Sequence, residues 1–193
     1  MKSLLVLLFV LSFSSVAFSQ ISKNQWLIGG SGSILTQKYS NPDDYGGTGL
    51  GITLSPGIGY FPVNNLAAGV RTFIGYDHSK GKYATGEEGF KQTSWHTQVG
   101  PFIHYYFLPT ARKMNLLADA SYYFGMIHTN NSLGKSKSPV HGYAFSMGPV
   151  WFLNSTTALE LTLHYSKDHT PVNTSGLAIN VGLQIHLGKA KGS

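Results

Sequence analysis

Three ionisable side chains, Arg71, Asp119 and Glu160, interrupt stretches that are otherwise almost free of charge. Each stands on the polar phase of a segment whose alternate residues are apolar. His96, Gln98, His104, Asn180 and Gln184 occupy the same phase of their own segments. A charge taken out of water must be paired and hydrogen-bonded, or it is strongly unfavourable. These residue types on one enclosed face therefore predict an ion-pair and amide network. A narrow polar conduction path is the other chemistry that the set can serve.

His164-Tyr165-Ser166 puts an imidazole and a hydroxyl two residues apart. Such a pair can attack an acyl ester, the His taking the Ser proton while a carboxylate orients the ring. No acidic residue follows Asp168, and the local alternation turns His164 and Ser166 to the enclosed face. No catalytic residue is assigned. His78, His128, His141 and His169 fall near polar loops but lack the i,i+2 or i,i+4 spacing of a metal site, so they are read as solvated. The Gly-rich runs 29–32 and 46–51 do not complete a dinucleotide fingerprint. No cofactor and no metal are expected.

The elements that must hold these groups are strands. Two-residue periodicity alternates with turn signals, and no helical period is sustained. Strands are predicted near 25–36, 48–61, 66–78, 92–107, 114–128, 142–153, 157–167 and 176–187. The connections at 62–65, 109–113 and 154–156 are short. Those near 37–47, 79–91, 129–141 and 168–175 are longer and polar. Pro56, Pro101 and Pro149 recur once per pair of strands, each followed by apolar residues and aromatics before a short turn, which marks a hairpin repeat. A proline removes a ladder donor, so a bulge that curves the wall is expected at each.

The ends and the composition set the environment. Residues 1–19 read as a signal peptide, with Lys2, an apolar run from Leu4 to Leu11, and Ala17-Phe18-Ser19 before the cleavage point. Residues 20–193 form one domain. The chain has no cysteine, which excludes disulfides and thiolate sites. Charged residues make up only 11% against 13% aromatic, an odd balance for a domain bathed in water.

One strand face is apolar throughout, as in Leu159, Leu161, Leu163 and Tyr165, or in Leu177, Ile179, Val181, Leu183, Ile185 and Leu187. The opposite face carries Gly, Ser, Thr, Ala, Gln and His with few charges. A soluble lipocalin-like barrel also alternates, but its polar face would meet water and carry many Lys and Glu. Small polar residues suit a narrow interior instead, with the apolar face toward lipid. Tyr60, Tyr105, Phe107 and Trp151 lie at one end of the strands, and Tyr76, Trp95, Tyr122, Tyr143 and Tyr165 toward the other, as two interfacial girdles. The fold class is all-β, an eight-stranded antiparallel up-and-down transmembrane β-barrel.

On these residues the chain resembles the small eight-stranded outer-membrane β-barrel proteins. Its Pro-then-Gly-Tyr-Phe pattern is similar to the Bacteroidetes-type outer-membrane barrel domain. Asn180, Gly182, Ile185 and Leu187 resemble the C-terminal assembly signal of such proteins, with aliphatics where aromatics are usual. His164-Tyr165-Ser166 resembles the His-x-Ser of the lipid A deacylases, eight-stranded barrels as well, but their Asn-Ala-Gly extension is replaced by Lys167-Asp168-His169. The resemblance implies a Gram-negative outer-membrane location with both termini periplasmic. It also implies contact with outer-membrane lipids and lipopolysaccharide, and delivery by the β-barrel assembly machinery.

The expected function is non-enzymatic, a structural, adhesive or ligand-binding role through the external loops. The alternatives are a narrow channel for small or apolar solutes and a deacylase-like hydrolase. A monomer is expected. The loop charges nearly cancel, and the surplus of Lys23, Arg112, Lys113, Lys189 and Lys191 sits at the predicted periplasmic rim. No basic patch with stacking aromatics supports nucleic acid.

Overall fold

The computed structural model describes residues 21–41, 45–83, 88–109, 112–170 and 173–188. The leader over 1–19, the loop acids Asp43, Asp44 and Glu87, and the tail lysines Lys189 and Lys191 lie outside them. Eight antiparallel strands close into one barrel in chain order. They are β1 (Trp26–Asn41), β2 (Tyr45–Val63), β3 (Leu66–Tyr83), β4 (Glu88–Tyr106), β5 (Met114–Asn131), β6 (Gly134–Phe152), β7 (Thr157–His169) and β8 (Thr174–Leu187).

Alternation decides which way each side chain points. On β7, Ala158, Glu160 and Thr162 are buried while Leu159, Leu161 and Leu163 are exposed. The exposed leucines face Leu183, Val181 and Ile179 across the β7–β8 ladder, so apolar rows run from strand to strand on the outside. The barrel thus turns its charged and amide side chains inward and an apolar surface outward, the reverse of a water-soluble barrel. Trp26, Tyr105, Phe107 and Trp151 project outward at the short-turn end, and Trp95, Tyr122 and Tyr165 project outward higher up.

The strands run well past the predicted limits at their far ends, reaching 19 residues in β2, β4 and β6. Most of what reads as long polar loop is therefore paired strand. The β5–β6 ladder continues to Asn131↔Gly134, leaving only Ser132 and Leu133 as a turn. Gly134 takes a φ of +132°, which a residue with a side chain rarely adopts. Apolar alternation fades there because both faces meet polar surroundings, while backbone pairing needs no apolar partner. His78, His128, His141 and His169 accordingly lie on strands rather than in loops. His141 and His169 are cross-strand partners whose rings stack 5.2 Å apart.

The expected bulges at the prolines do not occur. Pairing lapses beside Pro56, Pro101 and Pro149, then resumes with the same partner count, as at Leu54↔Ile74 and Gly57↔Arg71. The same holds at Val99↔Phe124 and Phe102↔Ser121, and at Met147↔Leu163 and Val150↔Glu160. Register shifts fall elsewhere, at Tyr60/Val63 and Gly81/Lys82. Glycine precedes two of the prolines and lets adjacent strands close up: a Cβ on Gly100 would collide with the Tyr122 carbonyl oxygen, and one on Gly148 with that of Leu161. The prolines therefore omit ladder bonds without redirecting the wall.

At the short-turn end, Asn65 adopts a left-handed φ of 68°. Its Nδ2 donates to the carbonyls of Tyr106 at 2.9 Å and Leu108 at 3.1 Å, and its backbone N–H donates to the Ile21 carbonyl at 2.9 Å. This one residue ties the β2–β3 turn to β4 and to the segment that precedes β1. Asn65→Ala loses both side-chain bonds and the tolerance for that backbone, and should lower stability by about 2–3 kcal/mol; Asn65→Gly keeps the backbone and should lose about 1–2 kcal/mol. Urea titration of the folded protein in detergent measures both, and equal losses would remove the backbone from the account.

Candidate functional site: a sealed lumen with a cavity above it

The lumen is built in tiers, each set by the inward phase of the strands. The lowest tier is aromatic. Phe61 stacks on Tyr106 at 6.2 Å between ring centres, and Phe152 lies 5.7 Å from His186. Tyr106 Oη and His186 Nε2 are 3.3 Å apart. Ile21, Leu27, Leu117, Val150 and Ala158 fill the gaps, all almost completely buried. The expectation of small and polar residues inside missed these rings. The signal was present, because Phe102 and Tyr106 share the phase of Gln98 and His104, and Leu117 and Tyr123 share that of Asp119.

The next tier is ionic. Arg71 donates from Nη1 to Asp119 Oδ1 at 2.8 Å and from Nη2 to Oδ2 at 2.6 Å, a bidentate pair. His104 lies between two carboxylates, its Nδ1 3.3 Å from Asp119 Oδ2 and its Nε2 3.3 Å from Glu160 Oε1. Gln184 Nε2 donates to Glu160 Oε2 at 3.1 Å. The guanidinium also lies 4.2 Å over the Phe102 ring. That ring rests on Gly59 and Gly69, where an added Cβ would come within 2.9 Å and 2.8 Å of it. What space remains here is about 30 Å³, room for roughly two waters.

Of the eight residues predicted for the network, Arg71, His104, Asp119, Glu160 and Gln184 are brought together. His96, Gln98 and Asn180 lie above them around a second cavity of about 380 Å³. His96 pairs instead with Asp77, Nε2 to Oδ2 at 2.7 Å. Asp77 and Asp168 also point into this cavity. Tyr123 donates its hydroxyl to Asp168 Oδ1 at 2.7 Å.

His164 also faces the lumen, but its Nδ1 contacts Ser146 Oγ at 2.8 Å, so the His-x-Ser spacing does not make the pair that the sequence suggested. Ser166 lines the upper cavity. Among the described residues, no group of three or more His, Cys, Asp or Glu is arranged to hold a metal ion. Of the four residues read from sequence as resembling an assembly signal, Asn180 and Gly182 point inward, while Ile185 and Leu187 point outward opposite Ile28 and Trp26 on the closing ladder.

No family model matches the chain, and no curated protein matches it by sequence. Solved structures do. The outer membrane protein OprG from Pseudomonas aeruginosa superimposes with a TM-score of 0.55 at 9% identity, over 90% of this chain and 99% of that one. The N-terminal β-barrel domain of Pseudomonas aeruginosa OprF does so with a TM-score of 0.50 at 12% identity, over 86% and 98%. The fold is that of an eight-stranded outer-membrane barrel.

The ionic tier should dominate the response to charge removal. Asp119→Asn leaves Arg71 without its carboxylate in an enclosed space and should cost about 3–5 kcal/mol of unfolding free energy. Asp77→Asn, at a half-exposed pair, should cost under about 1 kcal/mol. Denaturant titrations of the two variants side by side test the ranking, and similar losses would show that the buried tier holds no special share of stability.

Proposed function

We propose that this protein is an integral outer-membrane barrel with a sealed lumen, acting without enzymatic chemistry through the outer cavity and the tall hairpins above it. The sealed lumen carries the reading. An eight-stranded barrel has an interior just wide enough for side chains, and here Phe61, Tyr106, Phe152 and the Arg71–Asp119–His104–Glu160 tier fill the lower half. A solute path from end to end would have to cross both tiers. The hydrolase reading loses ground for a different reason: His164 takes Ser146 as its partner, inside the wall.

The apolar exterior supports insertion in a bilayer. Its pattern, together with the hairpin repeat of proline, apolar residues and then aromatics, supports kinship with the Bacteroidetes-type barrels. The start of β1 and the end of β8 lie with the short turns, which this reading puts on the periplasmic side. The outward phase of the hairpins carries Lys38, Lys80, Lys91, Lys135 and Lys137, whereas Asp77 and Asp168 turn inward. That asymmetry supports attraction to the phosphate groups of lipopolysaccharide. The barrel is delivered by the β-barrel assembly machinery and works as a monomer, as an adhesive or ligand-binding component of the envelope.

Refolded in detergent, the mature chain should migrate as a compact band that shifts on boiling; folding as a monomer in plain buffer would overturn the membrane reading. Leu161→Arg, on the outer wall, should cost about 2–4 kcal/mol of folding free energy into bilayers. In planar bilayers the wild-type protein should give no single-channel steps, and steady unitary currents would favour the channel instead.

A further inference from the structure

The closure of β1 on β8 differs from the other seven ladders. It runs from Trp26↔Leu187 to Gly32↔Val181 and stops, although β1 continues to Asn41 and β8 begins at Thr174. Over that upper stretch β1 stays paired with β2, and β8 with β7. The wall is therefore whole on either side and parted at the seam, from Ser33 and Asn180 upward.

The upper cavity reaches this parting. Its lining takes in Ser33 and Leu35 from one lip and Gly176, Leu177 and Ala178 from the other. Leu177 is on the outward phase of β8, so a cavity that it helps to line passes through the wall. Leu35, on the inward phase of β1, is an aliphatic among serines and is 44% exposed. Outside the slit, Ile34, Leu177 and Ile179 are 73%, 62% and 66% exposed, the highest values among the strand aliphatics, because nothing faces them across the seam. At the back, Asn180 is only 8% exposed, and its Oδ1 has no hydrogen-bond partner among the described residues. Ser166 and the Tyr123–Asp168 pair line the same wall. A buried acceptor without a donor is unfavourable unless a ligand supplies one.

We propose that this cavity binds a single-chain amphiphile, such as a long-chain alcohol or monoacylglycerol, which enters sideways from the bilayer through the β1–β8 seam. The inference rests on the membrane reading above. Asn180 Oδ1 is covered, so its side chain turns toward the cavity to accept the head group's hydroxyl hydrogen bond, and the chain leaves between Leu35 and Leu177 to lie against Ile34 and Ile179. The volume lies within the range of small-molecule sites, and a polar interior with an apolar exit fits a ligand of that duality.

The test uses the mature protein in phospholipid nanodiscs, with a nitroxide-labelled dodecanol as probe and its immobilised spectral fraction as readout. The wild type should bind saturably, about one probe per barrel. Gly176→Phe should fill the mouth without displacing the strands, since a Cβ there meets only Ser166 Oγ at 4.0 Å. It should weaken binding about tenfold or more while keeping the heat-shifted band, and Asn180→Leu, which removes the acceptor, should do the same. Ile34→Cys with Ile179→Cys, tied by a short reducible cross-linker, should block loading until the link is reduced. A chain that does not insert overturns the membrane reading, and this inference with it. One that inserts but shows no saturable site, or binds equally well with Gly176→Phe and with the seam tied, overturns the inference alone.

Discussion

The backbone of a β-sheet must satisfy its own polar groups wherever water is absent, and for a sheet that means closure. Seven of the eight ladders here join strands that follow one another along the chain. The eighth joins the two ends of the chain and has no turn to enforce it. It is held where Trp26–Gly32 meets Val181–Leu187, the level at which the aromatic and ionic tiers fill the lumen. Above that level the seam is not held, and the lumen is not filled either.

The two observations have one cause. The lower strands are pinned from inside: Leu27 on β1 and His186 on β8 both belong to the buried packing around Phe61 and Tyr106. Higher up, the inward residues beside the parting are Ser33 and Leu35 on one side and Gly176 and Ala178 on the other, and no backbone pairing spans them. Side-chain packing in the lumen thus substitutes for the missing turn. Closure ends just above the aromatic and ionic tiers.

The architecture could be read from the sequence because its determinants are local. Leu159, Leu161 and Leu163 against Glu160 and Thr162 set a period of two that no other element shares, and turn residues mark where it resets. That Arg71, Asp119 and Glu160 share an enclosed face was likewise legible, but which carboxylate takes the guanidinium was not. The height at which side chains meet was not. His96 shares a phase with His104 but pairs with Asp77, because strand tilt and stagger decide which inward residues lie level. That offset is a property of the closed barrel and leaves no trace in any single strand. The strand ends at the hairpins were hidden for a related reason, since polar strands and polar loops have the same composition.

A barrel sealed below and parted above divides stability from access. The Arg71–Asp119–His104–Glu160 tier is enclosed, so breaking it is costly, and it lies beneath the cavity rather than around its mouth. The groups at the mouth, Ser33, Leu35, Gly176 and Ala178, contribute little packing to the closure. The seam can therefore open or take up a guest without disturbing the contacts that hold the strands in register. Had the ionic tier been placed at the upper level, ligand entry would have required breaking a buried salt bridge. Set where it is, it closes the lumen to through-passage and gives the cavity a rigid floor.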